Sequence, residues 1–165
     1  MTGFHFNDEQ REQAQILAQV DLGELSCTGQ PPVERTYLWP VSSIAITSCF
    51  GARSDPVHGG LNQHNGIDIA ASHGAPVRAA HAGTVLLAQS AGIYGNLVIL
   101  VSEDGQLHTW YAHLSRFAVT SGTRVTQGDI LGYVGNTGRS TGNHLHFEMR
   151  LNAGTQPVDP MAYYR

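Results

Sequence analysis

From Val41 onward the chain is built from short apolar runs separated by glycine-rich punctuation, and no other feature constrains its fold so strongly. APVRAA, GTVLLAQ, NLVILVS, QLHTWYAH, DILGYVG and HLHFEMR each have the length and the β-branched or aromatic content of a strand. No helical stretch lies between them to carry a parallel crossover, so the sheet is expected to be antiparallel. SEDGQ places an Asp-Gly turn between two of the runs. GYVGNTGRSTGNH reads as a long loop leading into the HLHFEMR strand. The 19 glycines suit turns and bulges better than long helices.

Residues 1–40 read differently. DEQREQAQILAQVD, residues 8–21, is rich in helix formers, and Asn7 or Asp8 can cap its start. Ile16, Leu17 and Val20 recur at helical spacing. SCTGQPPVERTYLWP then breaks the pattern with glycine and prolines. The expected organisation is a short N-terminal helical arm and connector over 1–40, followed by one mainly β domain over 41–165. A chain of 165 residues accommodates one domain with such an appendage.

Composition removes several functions. The formal net charge is −4, and all nine basic residues are arginine. No basic cluster tracks nucleic-acid phosphates, and no apolar run is long enough to span a bilayer. The opening MTGFHFNDEQREQAQ lacks the basic start and apolar core of a secretory signal. Cys27 and Cys49 form no C-x-x-C pair, which argues against a cysteine zinc or redox site. A disulfide between them suits a protein outside the cytosol.

Nine histidines raise the question of clustering. In GNHLHFEMR, strand alternation puts His144 and His146 on one face and Leu145 and Phe147 on the other. The two imidazoles would stand roughly 6–7 Å apart at the backbone, within reach of one ion. In HNGIDIA, an extended chain would put His64, Gly66 and Asp68 on one face, with Gly66 leaving room between the polar groups. Nitrogen and carboxylate ligands suit zinc, and a catalytic site uses three of them. His64, Asp68, His144 and His146 offer four, and YAHLS adds His113. Spare imidazoles beside a metal are what acid–base chemistry needs. Spacing alone leaves open which of His144 and His146 binds the ion.

Other chemistries fail on pattern. There is no H-E-x-x-H helix and no G-x-S-x-G elbow. His146-Phe147-Glu148 lacks the P-C-x-x-C partner of zinc deaminases, and Glu148 comes too soon for a cupin-type site. Two segments look like strands of a lipoyl or biotinyl carrier barrel, but the chain has no lysine to carry the cofactor.

Five ordered pieces, HNGIDIA, GAPVRAAHAGTV, YGNLVIL, YAHLS and VTQGDILGYVGNTGRSTGNHLHFEMR, resemble the lysostaphin-like zinc metalloendopeptidases, also called LytM-type domains. The resemblance runs from CFGARSDP to VDPMAYY, about three quarters of the chain. It implies a small antiparallel β fold, sandwich-like, with a groove over one zinc ion. Carried over by position, His64, Asp68 and His146 match the metal ligands, and His113 and His144 match the two catalytic histidines. The implied activity is hydrolysis of peptide bonds in peptidoglycan stem peptides or cross-bridges by a monomer in the periplasm or outside the cell. A silent LytM-type module that regulates a wall amidase is the alternative, but such modules typically lose zinc ligands. His58, His73 and His81 fall outside the family pattern and are expected at the surface or behind the ligands. The arm has no counterpart in the resemblance.

Overall fold

The computed structural model describes residues 36–54 and 60–164. In chain order the strands are β1 (Ile46–Ser48), β2 (Gly51–Ser54), β3 (Leu61–His64), β4 (Ile67–Ala70), β5 (Pro76–Arg78), β6 (Gly83–Ser90), β7 (Asn96–Val101), β8 (His108–Phe117), β9 (Arg124–Val125), β10 (Ile130–Val134), β11 (His144–Leu151) and β12 (Gln156–Val158). Two single turns of 3₁₀ helix, Gly92–Tyr94 and Pro160–Tyr163, complete the regular structure among the described residues. All six apolar runs picked out in the sequence are strands. The fold is mainly β, and every strand pair is antiparallel. The helical arm expected before residue 36, Cys27 and His58 lie outside the described residues. No helix among the described residues is long and apolar enough to cross a membrane.

The main sheet runs β1-β4-β11-β8-β7-β6-β9, with β5 joined through β10 and β12 through β11. β2 and β3 form a separate ribbon. The central strand β8 has β7 on one side. On the other, residues 108–112 pair with β11 and residues 114–117 pair with β10. His113 sits at this changeover with φ of 60°, in the left-handed region that non-glycine residues rarely occupy.

Alternation along β4 and β11 divides the sheet into a dry face and a polar face. Ile67, Ile69, Leu145, Phe147 and Met149 have no solvent exposure and face the core with Tyr111, Leu100 and Leu114. Burying each large apolar side chain stabilises the fold by about 1.5–3 kcal/mol. Tyr164 closes the core from the C-terminal turn, edge-on to Trp39 at 5.0 Å and against Phe147, with its hydroxyl donating to the Leu38 carbonyl. Beneath the sheet, the Tyr111 hydroxyl accepts from the Ala80 amide and meets Thr109 Oγ1 at 2.9 Å, while His81 Nε2 meets Thr109 at 3.0 Å. His81 is therefore a buried structural residue away from the histidine cluster, and His73 is exposed in a turn.

The Asp-Gly signal marks a connection longer than a two-residue hairpin. Residues 102–107 join β7 to β8, with Gly105 at φ 74°. Asp104 Oδ1 accepts from the Gln106 amide and the Ser102 hydroxyl, which organises the loop.

Candidate metal centre and active site

The register of β4, β11 and β8 assembles the polar cluster. His146 pairs with Asp68 on one side and Ala112 on the other, and His144 pairs with Ala70. His144 and His146 thus share the face opposite Leu145 and Phe147, as alternation requires. His64 arrives by another path. HNGIDIA is not one continuous strand: β3 ends at His64, the chain bends at residues 65–66, and β4 begins at Ile67. The bend folds His64 back so that its Nε2 lies 3.2 Å from Asp68 Oδ1. Gly66 does not open space between the polar groups. Its Cα faces the backbone of β11, where an added Cβ would meet the Phe147 carbonyl and Glu148 Cγ.

Three donor atoms converge. His64 Nε2 and His146 Nδ1 are 3.0 Å apart, and Asp68 Oδ1 is 2.9 Å from His146 Nδ1. These are the described residues' one grouping of three or more histidine, cysteine or acidic side chains able to hold a metal. The set fits a zinc ion by its chemistry, two imidazole nitrogens and one carboxylate oxygen. The opposite nitrogen of each ring is already engaged: His64 Nδ1 with the Cys49 carbonyl at 2.6 Å, His146 Nε2 with Glu148 Oε1 at 2.9 Å. These contacts leave His64 Nε2 and His146 Nδ1 with the lone pairs that face each other.

Electrostatics agree with this reading. Burial works against charge on Asp68, but hydrogen bonds with His146 and His64 hold its carboxyl far below the usual range. Burial likewise opposes charge on His146, yet Asp68 and Glu148 together hold it up at about 8. Without a metal, protonated His146 bridges Asp68 at Nδ1 and Glu148 at Nε2; a bound ion would take the place of the Nδ1 proton.

His113 and His144 stand beside the cluster, with ring centroids 4.7 Å apart. His113 Nδ1 donates to the Thr137 carbonyl at 2.8 Å, and His144 Nδ1 donates to the Gly142 carbonyl at 2.8 Å. Each ring therefore carries its Nδ1 proton toward the backbone and turns its Nε2 away from it. His144 Nε2 lies 3.6 Å from Asp68 Oδ1. Burial, followed by the neighbouring His144 and His146, pushes His113 down to about 4, so it is neutral at pH 7. Thr137 also ties the loop down: its hydroxyl donates to the Leu114 carbonyl and accepts the Asn96 amide.

All five residues line one groove of about 730 Å³. Arg53, Asn62 and Gln63 line it from the β2–β3 ribbon and Asn65 from the bend that follows, with Ile93, Tyr94 and the loop residues 138–141 on the other parts of its wall. Three further participants have no role in the sequence analysis beyond Glu148's place in two rejected patterns: Glu148, Tyr94 and Arg150. Glu148 has no solvent exposure, accepts from Tyr94 at 3.0 Å and accepts from Arg150 Nε at 2.6 Å. A signal for two of them exists, since His144, His146, Glu148 and Arg150 continue one period-two row along β11.

Comparison with known proteins gives one answer. The profile of Peptidase family M23 matches residues 62–160. The DD-carboxypeptidase/endopeptidase Mpg of Neisseria meningitidis is 44% identical over 123 residues, 74% of this chain and 28% of that protein. The peptidoglycan DD-endopeptidase ShyB of Vibrio cholerae is 36% identical over 131 residues, 79% of this chain and 29% of that protein. The catalytic domain of the antimicrobial peptidase lysostaphin from Staphylococcus simulans superposes with a TM-score of 0.66 at 34% identity, covering 72% of this chain and 90% of that domain. The chain spans under a third of the length of the curated relatives it matches.

Proposed function

The chain belongs to peptidase family M23, and on that premise we propose that it is a zinc endopeptidase acting on peptide bonds of bacterial peptidoglycan, in the periplasm or outside the cell. The observation that carries the reading is the convergence of His64 Nε2, Asp68 Oδ1 and His146 Nδ1 beside two further imidazoles in one groove. His64, Asp68 and His146 would hold one zinc ion. When bound, the ion polarises the scissile carbonyl and lowers the pKa of water to about 7.

The remaining chemistry falls to His113 and His144. His113, neutral at pH 7 and with Nε2 free, is equipped to take the proton of the attacking water. The Nδ1 hydrogen bond to Thr137 fixes the tautomer that this role requires. His144 presents Nε2 to the same space, held from behind by Gly142. A proton on that nitrogen can stabilise the developing oxyanion and pass to the leaving amine. Loss of one such donor typically costs about 2.7–4 kcal/mol of barrier. Both rings stand on a rigid sheet whose other face is dry core, so the pair is preorganised. Activity toward peptidoglycan is also supported by the name of the Vibrio cholerae relative.

The test has two measurements. Metal analysis of the purified chain is expected to show about one zinc. Digestion of purified peptidoglycan, with mass analysis of the fragments, is expected to release cleaved peptides and to identify the bond. Full activity in metal-free protein, or intact peptides after incubation with zinc-loaded protein, would overturn the reading.

A further inference from the structure

We propose that Glu148 is the positioning residue of His146, setting which ring nitrogen faces the metal and how firmly. The proposal rests on the zinc reading above and adds to it a residue outside the ligand and base sets.

The argument begins with a cost. Glu148 is fully buried, and a buried carboxylate is unfavourable unless paired and hydrogen-bonded. It is paired from three directions. Arg150 Nε donates to Oε2 at 2.6 Å, while the Tyr94 hydroxyl and His146 Nε2 donate to Oε1 at 3.0 and 2.9 Å. Arg150 is itself held, its guanidinium stacked 3.9 Å over the Trp110 ring and its Nη2 3.4 Å from the Tyr94 hydroxyl. Tyr94 packs edge-on against Trp110 at 5.3 Å. A buried ion pair adds little net stability over well-packed apolar side chains, so stability alone gives no reason for this arrangement. Its open end is His146.

An imidazole accepting at Nδ1 must carry its proton on Nε2. Asp68 Oδ1 and Glu148 Oε1 each lie 2.9 Å from a nitrogen of this ring, so once Nδ1 is given to a metal Glu148 holds the remaining proton on Nε2 and fixes the ring plane. The negative charge also raises the basicity of Nδ1, the effect attributed to carboxylates behind metal-binding histidines. His64 has the Cys49 carbonyl and the Ser48 hydroxyl behind it but no carboxylate, so the two histidines differ in donor strength. The two-residue step from His146 to Glu148 keeps both on one face of β11 and lets the strand supply ligand and support together.

Glu148→Gln and Tyr94→Phe test this in the full chain, with zinc as the probe. Zinc affinity is read by chelator competition, and the His146 Nε2 proton by NMR of the zinc-loaded protein. Glu148→Gln keeps the shape but loses the charge, so zinc is expected to bind about 10–100-fold more weakly. The Nε2 proton should shift upfield, because a neutral acceptor makes the weaker bond. Tyr94→Phe removes one donor to Glu148 at nearly constant volume, and should change both readouts in a measurable but smaller way. A folded Gln variant that binds zinc within twofold of wild type, with its Nε2 proton unmoved, overturns the proposal. If the Gln variant does not fold, Tyr94→Phe decides, and unchanged affinity and shift there overturn it equally. Wild-type protein that takes up no zinc overturns the zinc reading and this proposal with it, whereas wild-type zinc binding with indifferent variants overturns this proposal alone.

Discussion

Gly66→Ala probes the packing that brings His64, Asp68 and His146 together. A methyl group at this position would run into the Phe147 carbonyl oxygen and lie 2.8 Å from Glu148 Cγ and 2.9 Å from the Phe147 carbonyl carbon. Ordinary contact begins near 3.4 Å, so β4 and β11 must separate locally by about 0.5–1 Å. The obstacle is mostly backbone of a central strand, which cannot rotate away as a side chain would. Overpacking of this kind typically costs about 1–3 kcal/mol, and in a chain of this size each kcal/mol lowers the melting temperature by about 2–4 °C. The larger effect should fall on the site. Gly66 lies between His64 and Asp68, and displacement of catalytic groups by about 1 Å can cost about 10²-fold in rate. The assay pairs a thermal melt of metal-free protein with zinc affinity and peptidoglycan hydrolysis. A Gly66→Ala protein that melts within about 1 °C of wild type, binds zinc normally and retains full activity would refute the claim that close approach to β11 builds the site.

Three further outcomes follow from the geometry. His144→Ala should retain zinc and lose hydrolysis, while His146→Ala should lose both; metal analysis beside a digestion assay separates them, and loss of zinc from the His144 variant would reverse the two roles. Zinc affinity should fall about tenfold per pH unit below about 8, where His146 must shed a proton to bind, and should level off above it. The metal-free fold should move the other way: His146 is raised from 6.5 to about 8 on folding, so its contribution is complete below 6.5 and lost as pH rises through 8. Titrating affinity and melting temperature across pH 6–9 checks both signs. His113→Gly should abolish hydrolysis yet destabilise less than His113→Ala, because glycine accepts the φ of 60° without the roughly 1–2 kcal/mol cost of a Cβ there; equal melting temperatures for the two variants would count against strain at this position.

Much of the fold was legible because strand alternation is a local property. Each run announced its own length and its dry side, and HLHFEMR showed which face His144 and His146 share before any partner strand was known. The same row contained Glu148 and Arg150, but a two-residue period does not say whether a polar residue meets solvent or a buried partner. HNGIDIA offered His64 and Asp68 on one face if extended; the structure breaks it at residues 65–66, where Gly66 comes too close to β11 for a side chain, a tertiary contact that local propensity does not encode. His113 was recognisable as a histidine near a strand, but its left-handed backbone arises where β8 exchanges β11 for β10, a fact of sheet topology. His81 looked like one more imidazole and proved to be part of the packing under Tyr111.

The sequence by itself determined a mainly β, antiparallel domain and the residue types available for metal and proton chemistry, since both depend on side-chain identity and period. The tertiary structure decided which atoms meet: His64 Nε2, Asp68 Oδ1 and His146 Nδ1 at one point, His113 and His144 beside them, Glu148 behind. Those meetings depend on the pairing of β4, β11 and β8 and on the bend that returns the end of β3 to them; His64 and His146 meet across 82 positions. No local pattern encodes such distances; only the packed sheet does.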